Sequence, residues 1–88
     1  MTDPLVSFRE EITAIDLELL DAVNRRVELV RRLHEYKAAE GLPLRDPARE
    51  DALVRELQGH NPGPVSDAGV AALFRHVLDL TRAELHGA

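Results

Sequence analysis

Arg26 and Lys37 are two cations, eleven residues apart, in a stretch whose apolar residues recur at helical spacing, NRRVELVRRLHEYK over 24–37. Successive helical residues turn by about 100° and rise about 1.5 Å, so the two side chains point within ~20° of each other, ~16 Å apart along the axis. They fall in the same sector as Phe8, Ile12, Ile15, Leu19, Val30 and Leu33, which is the face a helix turns to its core. Arg25, Arg31 and Arg32 fall well outside that sector and read as solvated charges. Burying an unpaired cation is costly, so something negative must meet Arg26 and Lys37. A pair of buried salt bridges, or side chains snorkelling at the edge of the stripe, would serve. So would an anionic ligand.

The rest of the chain favours the ligand. Glu50 lies among Leu53, Val54 and Leu57, with Arg49 at the edge of that apolar face. Thr81 lies between Val70, Phe74, Val77 and Leu78. Each helical segment therefore places a polar group in its buried stripe, as expected of a polar cavity inside a helical bundle. The inward cations outnumber the inward acid, so the ligand should be anionic. Arg9 stands ~25 Å from Arg26 along the same helix, too far for one small ligand to touch both. It can serve the site only from the partner subunit of an antiparallel pair; taken alone it reads as a surface residue.

The elements that must position these groups are three helices. The apolar stripe runs from about residue 5 to 40, and Gly41 followed by Pro43 stops it. Asp46 and Pro47 supply an N-cap and a first helical residue for a short helix over about 47–59. HNPGPVS is loop, and Ser66 or Asp67 caps a third helix of medium length over about 66–85. The fold class is all-α, with residues 1–88 as one domain. The long helix would measure ~50 Å, against a radius of gyration of ~12 Å for a compact chain of this length. Two short helices cannot cover its stripe, so a homodimer of intertwined helical bundles is expected. A long helix that breaks and folds back is the alternative, but no Gly or Pro lies between Leu5 and Gly41.

Bulk properties exclude several classes. The chain is 44% hydrophobic and 31% charged, a folded composition rich in helix formers. A net charge of −5 argues against nucleic acid. There is no cysteine for disulfides or thiolate chemistry. The histidines at 34, 60, 76 and 86 lack zinc-ligand spacing, so no metal is expected. No run approaches a membrane span and no signal peptide opens the chain, so the cytoplasm is the expected compartment.

The ordered series of Arg9 and Asp16, the double arginine ending at Arg26, Lys37, Pro43, Asp46, Arg49 and Glu50 resembles the all-helical (AroQ-class, type II) chorismate mutases. LFRHVLDLTRAEL resembles the last helix of that family, so the likeness covers essentially the whole chain. It implies an intertwined dimer of three-helix protomers that converts chorismate to prephenate on the route to phenylalanine and tyrosine. It implies that Arg26 binds one substrate carboxylate and that Arg9 of the second subunit binds the other. Lys37 would hydrogen-bond the ether oxygen and a carboxylate. Asp46, Arg49 and Glu50 would shape the far end of the pocket, Glu50 accepting from the ring hydroxyl, and Thr81 would line the carboxylate end. The rearrangement needs no cofactor, metal or proton transfer. It needs a flexible dianion held in a compact conformer and a cation facing the ether oxygen as its bond breaks.

The third helix departs from the family. Many members carry Gln, or Glu in some, four residues after the Ser/Thr that Thr81 matches, and that group donates to the ether oxygen. Here the position is Leu85, and Glu84 points about 100° away. A missing donor costs on the order of 3 kcal/mol. Either a backbone N–H or another side chain replaces it, or the enzyme is slow alone. The short intracellular mutases of actinobacteria look similar here: their Arg-rich tails also lack Gln, and they gain activity from the first enzyme of the shikimate pathway. Arg82, Leu85 and His86 fit that tail, which implies a shikimate-pathway synthase as an activating partner. Two alternatives stand beside the mutase. One is a same-fold enzyme on a related substrate, an isochorismate pyruvate-lyase or a 4-amino-4-deoxychorismate mutase. The other is a non-catalytic helical dimer that regulates a partner enzyme, although such a module would gain stability by replacing Arg26, Lys37 and Glu50 with apolar residues.

Overall fold

The computed structural model describes residues 3–86. Among them the chain forms three helices and no strand: α1 (Pro4–Ala39), α2 (Pro47–His60) and α3 (Asp67–His86). Each starts on a side-chain cap that satisfies an otherwise orphaned N–H. The Asp3 carboxylate accepts from Leu5 N–H at 2.9 Å, Asp46 from Arg49 N–H at 3.0 Å, and Ser66 Oγ from Gly69 N–H at 3.0 Å. Pro4 and Pro47 occupy first-turn positions where no N–H is needed.

The end of α1 matters for the site. Gly41 adopts φ +68, a left-handed conformation that a side chain would strain. Its N–H bonds the Ala38 carbonyl at 3.3 Å and that of Leu42 bonds the Lys37 carbonyl at 2.8 Å. This paired closure turns the chain sharply and brings Leu44 back to Lys37, whose Nζ donates to the Leu44 carbonyl at 3.3 Å.

α3 is the middle helix. It packs on α2 and on the C-terminal half of α1. The buried apolar side chains are Val54, Val70 and Leu78. On α1 the half-buried residues in this region are Val23, Arg26, Val27, Val30, His34 and Lys37, one face of the helix beginning just past its midpoint. The N-terminal half of α1 stands clear of α2 and α3. Leu5, Phe8, Ile12, Ile15 and Leu19 are each more than half exposed. The helix does not break or fold back: it is continuous for 36 residues.

The chain does not close its own core. It measures 61 × 26 × 20 Å with a radius of gyration of 16.7 Å, against ~12 Å for a compact chain of this length. Its surface is 6992 Å², where a compact monomer of this mass exposes roughly 5,200 Å². No helix among the described residues is long and apolar enough to cross a membrane.

Candidate active site

α3 separates α1 from α2, and the gap beside it is a cavity of about 280 Å³. The size suits a small metabolite. Arg26, Lys37, Asp46, Arg49, Glu50 and Thr81, six residues singled out from sequence, all line it. They come from α1, α2 and its cap, and α3, so the cavity exists only when the three helices pack.

Among the described residues the two inward cations of α1 have no carboxylate partner. Arg26 Nη1 donates to Thr81 Oγ1 at 3.1 Å, and Thr81, 4% exposed, donates to the Val77 carbonyl at 2.7 Å. Lys37 donates to the Leu44 carbonyl. Among the described residues neither cation forms an ion pair. Within the described chain, then, no salt bridge accounts for them. Arg26 is oriented by a neutral hydroxyl and Lys37 by a neutral carbonyl, so neither cation is met by a carboxylate among the described residues.

The opposite wall is built around Glu50, whose side chain is 16% exposed. Arg82 Nη1 straddles its carboxylate, at 2.8 Å from Oε1 and 2.9 Å from Oε2. Arg45 Nε is 3.6 Å from Oε1. Arg82 also donates to Asp79, one turn back on α3. These hydrogen bonds, that to Glu50 foremost, raise the Arg82 guanidinium above its ordinary pKa. Arg49 lines the cavity while its guanidinium lies 4.0 Å from Glu56 on the outer side of α2. Asp46 faces the cavity as the cap of α2.

Two expected residues lie elsewhere. Arg9 sits on the uncovered half of α1, in a shallow groove with Val6, Thr13 and Leu17. Within one chain it takes no part in the cavity, as its distance along the helix dictates. Leu85, expected at the wall, does not line it. Four residues beyond Thr81 it is rotated by ~40° and lies one turn farther along, and His86 is the residue of this last turn that reaches the wall.

Four polar lining residues, His34, Arg45, Arg82 and His86, were not expected as site residues. His34 is four residues after Val30 and three before Lys37, at the edge of the stripe, and its phase was the available signal. Its ring stacks on that of His86, centroids 6.0 Å apart. Burial lowers its pKa below 6.5, and the neighbouring His86 and Lys37 lower it further. Arg82 was read only as part of the tail; it borders the stripe four residues after Leu78, and its partner on another helix left no local trace. Arg45 is in a loop, where no periodicity applies. No cluster of three His, Cys, Asp or Glu side chains among the described residues is placed to hold a metal.

The pattern of the family "Chorismate mutase type II" matches residues 8–85. A bifunctional chorismate mutase/prephenate dehydratase of Neisseria gonorrhoeae is 39% identical over 74 residues, 84% of this chain and 20% of that protein. A 4-amino-4-deoxychorismate mutase of Streptomyces pristinaespiralis is 31% identical over 77 residues, 88% of this chain and 57% of that protein. The chain thus spans a fifth of the first relative and just over half of the second. The solved chorismate mutase of Thermus thermophilus (form I) superposes with a TM-score of 0.87 at 28% identity, covering 90% of this chain and 99% of that one. With nearly its whole length matched in sequence and in fold, the chain belongs to the type II chorismate mutase family.

Proposed function

We propose that this chain is a chorismate mutase that rearranges chorismate to prephenate as a homodimer. The observation that carries the reading is the pair of cavity-facing cations, Arg26 and Lys37, held in place by neutral groups and left without a carboxylate. A dianion supplies what they lack. Arg26 binds one carboxylate, preferably with both of its outer nitrogens. Lys37 faces the ether oxygen and stabilises the charge that develops there as the C–O bond breaks and the new C–C bond forms. Glu50 accepts from the ring hydroxyl. Asp46, Arg49 and Thr81 fix the shape of the cavity around the compact conformer. Because both reacting ends belong to one molecule, holding that conformer is itself a large part of the catalysis.

The exposed apolar residues of α1 support the dimer. Full burial of a large apolar side chain is worth roughly 1.5–3 kcal/mol, and Leu5, Phe8, Ile12, Ile15 and Leu19 form one uncovered stripe. The surface beyond that of a compact monomer, roughly 1,800 Å² per chain, is what a permanent interface buries. Antiparallel pairing of two α1 helices carries Arg9 of one subunit toward the cavity of the other, where it completes the clamp on the second carboxylate.

Product analysis tests the activity. Chorismate incubated with the purified chain should yield prephenate, while isochorismate should not yield salicylate and pyruvate. Salicylate would assign the chain to the lyase chemistry instead. The last turn of α3 belongs to the wall through His86, so a shikimate-pathway synthase seated on this end would act on the site directly. A titration with such a synthase that left the rate flat would remove that partner.

A further inference from the structure

The carboxylate of the Glu50 wall is already paired: Arg82 bonds both Glu50 and Asp79, and Arg45 approaches Glu50 from the loop. Glu50 supplies one carboxylate, and Arg82 and Arg45 both approach it, at 2.8 Å and 3.6 Å. The cavity as a whole has five Arg or Lys side chains in its lining against two carboxylates, Asp46 and Glu50. An unpaired, half-buried glutamate would be a binding place for a cationic group, but this one is already held by Arg82, with Arg45 nearby. A carboxylate has about four acceptor positions. Arg82 takes one on each oxygen and Arg45 lies over a second on Oε1, which leaves Oε2 able to accept one more hydrogen bond. A neutral hydroxyl can donate that bond. An ammonium at the same place would lie beside two guanidinium groups in a partly desolvated wall, where like charges repel strongly.

We propose that Arg82 is a specificity-determining residue, which by holding Glu50 in an ion pair makes the site select a dianionic substrate with a neutral ring hydroxyl over its analogue with a ring ammonium. The inference rests on the proposed reading of Glu50 as the acceptor facing the ring substituent. It bears on a real choice, because 4-amino-4-deoxychorismate mutases are among this chain's relatives. Arg82 is a positioning residue here. It acts through Glu50 and its own charge and takes no part in bond making or breaking.

The test compares kcat/KM for chorismate and for 4-amino-4-deoxychorismate in the wild type, Arg82→Leu and Arg82→Lys. The ratio is the readout, because a loss of folded protein lowers both rates and leaves it unchanged. The wild type should prefer chorismate by at least about tenfold, Arg82→Leu should narrow that preference about tenfold, and Arg82→Lys should retain most of it. The wild-type preference should also shrink as pH rises through the pKa of the substrate amine, since a neutral amine is not repelled. This pH series decides the matter alone if Arg82→Leu does not fold. A ratio that is the same in wild type and Arg82→Leu, a pH-independent ratio, or a wild-type preference for the amino substrate would each overturn the inference while leaving a mutase. Turnover of neither substrate would overturn the mutase reading itself, and the inference with it.

Discussion

Arg26 on α1 donates to the Thr81 hydroxyl on α3 across 3.1 Å, and Thr81 donates onward to the Val77 carbonyl at 2.7 Å. This chain ties the cation of one helix to the backbone of another through a side chain that is almost fully buried. The guanidinium is aimed into the cavity before any ligand arrives. Thr81→Val keeps the shape and removes the hydroxyl. The prediction is a fall of about tenfold in kcat/KM, mostly through KM, with thermal stability changed by less than about 1.5 kcal/mol. Steady-state kinetics and a melting curve on the same preparation check both parts.

Arg9 and Arg26 should belong to one site only across two chains. Arg9→Ala and Arg26→Ala homodimers should each be nearly inactive. After unfolding and refolding as an equal mixture, half of the dimers are mixed, and each mixed dimer has one site with both arginines. Activity should therefore return to about a quarter of the wild-type value. No recovery from a mixture shown to contain mixed dimers would place Arg9 outside the site.

The exposed stripe of α1 should be the dimer interface. Ile12, 57% exposed in the single chain, becomes a buried charge in Ile12→Glu if two α1 helices pair. The prediction is dissociation or unfolding at concentrations where the wild type is dimeric, a cost above about 3 kcal/mol. Sedimentation and circular dichroism measure it. An Ile12→Glu dimer as stable as the wild type would mean that this face stays in water.

His34 makes acid destabilising. Burial first, then the charges of His86 and Lys37, hold its folded pKa below 6.5. In the unfolded chain it titrates near ~6.5. Between the two values the unfolded state binds more protons, so stability falls as pH drops through 6.5 and levels off below the folded pKa. Above that window His34 contributes no slope. Denaturant unfolding of the wild type and His34→Gln from about pH 7.5 to 5 should show a shallower loss in the variant.

The sequence made the helices legible because their ends are chemical: Asp46 and Pro47, and Ser66, at the starts of the second and third, and Gly41 at the end of the first. The phase of Arg26, Lys37, Glu50 and Thr81 was legible for the same local reason. What helical phase could not show was which part of the α1 stripe meets α3 and which part meets nothing within the chain. Phe8, Ile12 and Val30 share one sector of the wheel, yet only Val30 is covered. Arg82 and Arg45 were missed because their meaning lies in Glu50, on a different element. Leu85 was placed at the wall by correspondence with a longer polar side chain; in the single chain the last turn of α3 lines the cavity through His86.

The central claim is that Arg26 and Lys37 await a dianion whose rearrangement Lys37 drives. The direct measurement is the loss of chorismate absorbance with wild type and Lys37→Ala side by side, folding of both being verified by circular dichroism. The wild type should yield prephenate, and Lys37→Ala should lose at least about a hundredfold in kcat. Equal rates from the two, or no turnover by a folded wild-type dimer, would contradict the claim.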